Sequence, residues 1–168
     1  MNGDNERADR LIEEAIDVFL EAESAHIRTH IGERNLCGGL ANVLKSKLKA
    51  HGFGRYYVDL EYNRMQNGEI KTILDSEYKE VTINCDLIAI EMKKSSRPQA
   101  EKDKDRMRLR ALTKSSYDDV WSNDGTTHPE HVCGYNLGVY VEIDAGAGKC
   151  LLEYYRRGRQ VAEQFKKF

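Results

Sequence analysis

The 168-residue sequence predicts an α/β sandwich, a mixed central sheet covered by helices on both faces. Three observations carry that expectation. Before residue 50, apolar residues recur at three- and four-residue spacing, with Leu11, Ile12, Ala15, Phe19 and Leu20 set among acids. Aromatic and β-branched residues then crowd several runs, and Val81 to Lys93 (VTINCDLIAIEMK) is the most strand-like of them. That run leads into a helical segment and another strand, a passage that implies a right-handed crossover and one parallel pair.

Taken in order, residues 4–24 read as the first helix, and the second runs from Ile31 to Lys49, closing near His51-Gly52. Arg55 to Tyr62 (RYYVDLEY) and Glu69 to Leu74 read as strands, with turns at 63–68 and 75–79. After Val81–Lys93, Ser95 and Ser96 are candidate caps. Pro98 suits a first helical turn, and a helix continues to Leu112. Residues 114–131 are polar and irregular. Tyr135 to Ile143 is a strand, residues 144–148 (DAGAG) a turn, and Cys150 to Tyr155 the returning strand of a hairpin. The tail from Gln160 reads as a short helix. One domain over residues 1–168 is expected, with residues 1–28 as an N-terminal helical extension.

Composition narrows the class. Apolar residues make up 40% and charged residues 32%, a mix that disfavours disordered, collagen-like and membrane-spanning chains. The longest apolar run, Leu87 to Ile90, is far short of the roughly 20 residues that cross a bilayer. The start, MNGDNE, has neither the basic nor the apolar part of a signal peptide, so a cytoplasmic setting is expected. Cys37, Cys85, Cys133 and Cys150 are scattered without a CxxC pair, which points to free thiols and away from a zinc ribbon. Charge is uneven along the chain. Nine acids face three bases in residues 1–33, and nine bases face three acids in residues 93–114. The second zone forms either a solvated helix face or a phosphate-facing surface.

Glu91-Met92-Lys93 breaks the pattern of its strand. Leu87, Ala89, Glu91 and Lys93 share one face, and Ile88, Ile90 and Met92 the other. A carboxylate and an ammonium therefore emerge together at the end of a run that reads as buried. Such a carboxylate can bind a hard divalent metal, and the ammonium can orient water or neutralise charge on a phosphate. Glu33 falls within the apolar stripe of the second helix, beside Leu36, Cys37, Leu40 and Leu44. It needs a cation, a metal or a hydrogen-bond donor there, or else the positive end of the helix dipole.

Glu33 on a helix, Asp86 followed by Glu91-x-Lys93, a basic helix and an apolar strand resemble, in that order, the PD-(D/E)XK nuclease superfamily. The stretches VDLEYN, CDLIAIEMKKSS, DKDRMRLRALT and GYNLGVYVEI look like a bacterial group of small proteins usually assigned there. The resemblance covers most of residues 30–145. It implies a restriction-endonuclease-like αβββαβ core and Mg²⁺- or Mn²⁺-dependent hydrolysis of nucleic acid, DNA first. It also implies that Asp86 and Glu91 hold the metal, that Lys93 assists the attacking water and that Glu33 supports the metal shell.

One departure concerns Asp86. Only four residues separate it from Glu91, and in a regular strand that spacing puts the two carboxylates about 17 Å apart on opposite faces. A break in the strand restores the geometry; otherwise Asp75, Asp59 or Glu61 takes the place, or the site is inactive. The basic helix fits the same scheme. Lys102, Arg106 and Arg110 lie one turn apart and, with Lys94 and Arg97, are the candidate phosphate contacts. Met107 or Leu109, with Ala111 and Leu112, faces the sheet. The His26/His30 pair and the His128, His131 and Cys133 group lack a clear ligand set. Tyr117, Trp121 and Tyr135 read as loop anchors, and residues 154–157 as the charged end of an edge strand. Two rivals to an enzyme remain: a degenerate nuclease fold that binds nucleic acid or protein without cleaving, and a structural or inhibitory partner presenting the acidic first helix. Self-association is left open.

Overall fold

A computed structural model describes residues 2–29, 31–56, 58, 73–74, 80–81, 88–114 and 134–168. Among them the chain runs α1 (Asn2–Arg28), α2 (Glu33–Lys47), β1 (Ile73–Leu74), β2 (Glu80–Val81), β3 (Ile88–Lys94), α3 (Gln99–Leu112), β4 (Leu137–Asp144), β5 (Lys149–Arg156) and β6 (Arg159–Lys167). The fold is mixed α/β. Strands β3-β4-β5-β6 form one sheet in that order, and β1 and β2 pair separately, Ile73 opposite Val81. The expected parallel pair is β3–β4, aligned from Ile88 opposite Leu137 to Lys94 opposite Ile143, with α3 between them in sequence. β4–β5 and β5–β6 are antiparallel.

Alternation divides the sheet into two unlike faces. Ile88, Ile90 and Met92 of β3, Leu137, Val139, Val141 and Ile143 of β4, and Cys150, Leu152 and Tyr154 of β5 turn to the main core. The apolar stripe of α1 (Leu11, Ile12, Ile16, Phe19) joins them with no exposed surface, and the buried Leu36, Leu40 and Leu44 of α2 complete the cluster. The segment read from sequence as an extension thus supplies much of the core. Its ends suit the helix dipole, with Asp4 in the first turn and His26 and Arg28 in the last.

The opposite face lies under α3. A smaller apolar cluster of Ala89, Leu109, Tyr140 and Tyr155 seats the helix. Gly138 makes that seat close: a Cβ there would stand 3.0 Å from Thr113 Cγ2 and 3.3 Å from Leu109 Cδ2. Helices cover both faces, as the sequence predicts.

The tail departs from expectation. Residues after Gln160 are strand, not helix, and pair with β5 from Arg156 opposite Arg159 to Lys149 opposite Lys167. Arg157 and Gly158 make the connection with φ of 52° and 74°, two successive left-handed residues that form the tight turn of a hairpin. Pairing across that turn outweighs the weak helical preference of the tail. Of the other strand expectations, residues 59–72, 75–79 and 82–87 lie outside the described residues, as does 115–133.

Candidate active site beneath the third helix

Glu91 and Lys93 leave β3 on the face that α3 covers, and residues distant in sequence meet them there. Lys93 Nζ donates to Glu33 Oε1 at 3.3 Å, a contact spanning 60 residues of chain. Its ammonium is also 3.1 Å from Asp105 Oδ2. Glu33 Oε2 accepts the backbone N–H of Lys94 at 3.2 Å, and Arg97 Nε approaches it at 3.8 Å. Glu91 Oε1 accepts from Arg108 Nη1 at 2.7 Å. Both offsets for Glu33 therefore operate: it stands in the first turn of α2, where the dipole favours an acid, and it reaches cations of β3 and of the segment after it.

Burial and charge set the protonation states. Burial pushes the Glu91 carboxyl above the ordinary range; Arg108 opposes this and Asp105 adds to it. Burial pulls the Lys93 ammonium down, but Asp105 and Glu33 outweigh it and hold Lys93 above the usual lysine value. At neutral pH Lys93 is a cation. It can donate, orient or neutralise, and it has no lone pair with which to abstract a proton. Burial, then Glu33 and Glu91, push the Cys37 thiol up, so the sulfur beside this cluster stays protonated.

Asp105 is the residue that sequence reasoning missed. Its side chain is 6% exposed, and its Oδ1 lies 3.7 Å from the same Arg108 nitrogen that binds Glu91. Oδ2 accepts no well-directed hydrogen bond among the described residues, so its contact with Lys93 is an ion pair. A signal was present: Lys102, Asp105, Leu109 and Leu112 recur at helical spacing and form the buried stripe of α3. Met107, considered for that stripe, is 64% exposed.

The cationic row is placed differently from the expected phosphate surface. Lys102 Nζ turns inward and donates to Glu142 Oε1 at 2.8 Å. Arg106 donates through Nε and Nη2 to both oxygens of Glu153 at 2.9 Å, and its guanidinium stands 4.2 Å from the centre of the Tyr140 ring. Tyr140 and Tyr155 donate to Glu142 and Glu153 in turn. The physical reason is desolvation: two carboxylates on a covered sheet face require cations, and α3 supplies them. Arg110 is exposed with its guanidinium 5.9 Å from the centre of the Tyr155 ring, Arg97 is exposed and paired with Glu101 at 3.0 Å, and Lys94 is half-buried.

Asp86, Asp75, Asp59 and Glu61 lie outside the described residues, as do His30, His128, His131, Cys133, Tyr117 and Trp121. His26 contacts Glu23 at 2.7 Å on the surface, Tyr154 is buried, and Arg156 donates to Asp9 at 2.6 Å. Among the described residues no group of three or more His, Cys, Asp or Glu side chains is arranged to hold a metal ion. A pair fits one in donor type: Glu91 and Asp105 already share a single cationic nitrogen. Also among the described residues, no helix is long and apolar enough to cross a membrane. No protein-family model matches the chain, nor does any curated protein or solved structure.

Proposed function

We propose that this chain is a metal-dependent nuclease domain with a PD-(D/E)XK-type, restriction-endonuclease-like core, hydrolysing phosphodiester bonds of nucleic acid, DNA first. The observation that carries this reading is the meeting of Lys93 with Glu33 beside Glu91, at the end of a strand paired in parallel with β4. Those three residues answer to the motif order the sequence displays. Glu91 and a second acid, Asp105 or Asp86, would hold Mg²⁺ or Mn²⁺, which supplies Lewis-acid activation of water and screening of phosphate charge. Lys93, kept protonated by its two acids, neutralises charge that grows on the phosphate oxygens and fixes the water beside them. Glu33 positions Lys93 and touches no substrate. Arg97 and Arg110, with Lys94, meet flanking phosphates, and no base-reading motif accompanies them. The test is nicking of supercoiled plasmid with Mg²⁺ or Mn²⁺. Cleavage by the wild type, lost in Glu91→Ala and in Lys93→Ala with the fold intact, supports the assignment; unchanged cleavage in both variants rejects this site.

A second reading has an observation of its own. Arg108 holds Glu91 at 2.7 Å, where a metal would otherwise bind, while Arg97 and Arg110 stay exposed. A degenerate nuclease fold that binds nucleic acid without cutting accommodates this arrangement directly. Salt-dependent DNA binding with no turnover in any divalent ion selects it.

A further inference from the structure

The far end of the α3-side face carries a charge pattern that the candidate site does not use. α3 packs over β3, β4 and part of β5. Among the described residues nothing pairs with the outer edge of β6. This nine-residue strand leaves Val161 and Phe165 54% and 65% exposed. Its register with β5 lays three rows across the sheet: Glu153 opposite Glu163, Leu151 opposite Phe165, and Lys149 opposite Lys167. Like charges directly opposite are unfavourable within one sheet, and here they occur on both sides of an apolar row. Arg106 neutralises Glu153, whereas among the described residues Glu163 receives a 3.5 Å contact from the neutral Gln160 amide and no cation. Lys149 and Lys167 are exposed. An open edge of this kind is also a template of outward N–H and C=O groups.

We propose that this edge binds a second copy of the chain, β6 lying antiparallel to its counterpart about a two-fold axis at Phe165. Residues equidistant from Phe165 then face one another. Phe165 meets the partner's Phe165, Glu163 meets the partner's Lys167, and Lys167 meets the partner's Glu163. The acid row of one copy thus continues into the basic row of the other, and the apolar rows become continuous. The contact is isologous, as a two-fold dimer requires, and joins two four-stranded sheets into one. Glu163 and Lys167, each opposite a like charge within the monomer, thereby gain an opposite neighbour.

Sedimentation equilibrium on the full chain tests this against the 19.3 kDa monomer mass. The wild type is expected to dimerise, more weakly as salt rises. Glu163→Lys and Lys167→Glu each turn two attractive pairs into repulsive ones and weaken the dimer about thirtyfold. Each also removes a like-charge row from its own sheet, so neither is expected to unfold more readily than the wild type. Mixing the two single variants restores both attractive pairs, and a heterodimer forms. A wild type that stays monomeric, a Glu163→Lys variant that dimerises unimpaired, or a mixture that fails to associate overturns the proposal.

Discussion

The two faces of the four-stranded sheet are built from the same strands and held by different physics. Toward α1 and α2 a large apolar cluster gathers Val139, Val141 and Leu152 with Phe19, Leu11 and Ile16, and partly exposed ion pairs such as Arg156–Asp9 supplement it. Toward α3 only Leu109, Ala89, Tyr140 and Tyr155 form an apolar cluster, and ion pairs surround it. Apolar burial is non-directional and tolerant, whereas a covered carboxylate must find a cation in one geometry. The first face therefore fixes that the chain folds. The second fixes where α3 sits, and it gathers the charged groups from which a catalytic site can be made.

Truncating a side chain on the apolar face has the largest expected effect. Phe19→Ala, at a position with no exposed surface, is expected to cost about 4 kcal/mol of unfolding free energy, read from urea denaturation. On the charged face, Glu153→Ala leaves Arg106 covered without its bidentate partner and is expected to cost about 3 kcal/mol. Replacing both partners, as in Arg106→Leu with Glu153→Leu, should recover most of that loss. Apolar packing has no such rescue, so a double variant as unstable as the single one would erase the distinction between the faces.

A smaller effect comes from pH. The folded value of Lys93 is raised above its unfolded value, so its contribution is fully present below about pH 10.4 and fades as pH rises through the folded value. The wild-type urea midpoint should thus fall above that pH more steeply than that of Asp105→Asn, which lacks the nearest acid. Equal slopes would mean that Asp105 does not hold the ammonium.

How much of this was legible depended on whether neighbours were local. The helices, the parallel pair and the β4–β5 hairpin follow from periodicity and turn residues within each segment. The strand after Arg157-Gly158 did not, because its partner lies across a turn whose left-handed arginine no residue preference announces. Glu91, Lys93 and Glu33 stand out in the sequence as misfits in apolar surroundings, and the fold brings Lys93 and Glu33 into contact. Asp105 is hidden because residues 93–114 hold nine bases against three acids, and an acid among them reads as surface charge. The inward turn of Lys102 and Arg106 was equally hidden, since it is dictated by Glu142 and Glu153, about forty or more residues away.

In the proposed function the charged face works on phosphodiesters rather than only fastening α3. Single-turnover cleavage of DNA by the wild type and Lys93→Met, with thermal unfolding followed on the same samples, separates the two roles. Mg²⁺- or Mn²⁺-dependent cleavage by the wild type is expected, with a loss of about 100-fold or more in the variant, while both remain folded at the assay temperature. A wild type that cleaves nothing under any divalent ion, or a folded Lys93→Met variant that cleaves as fast, would contradict the proposed function.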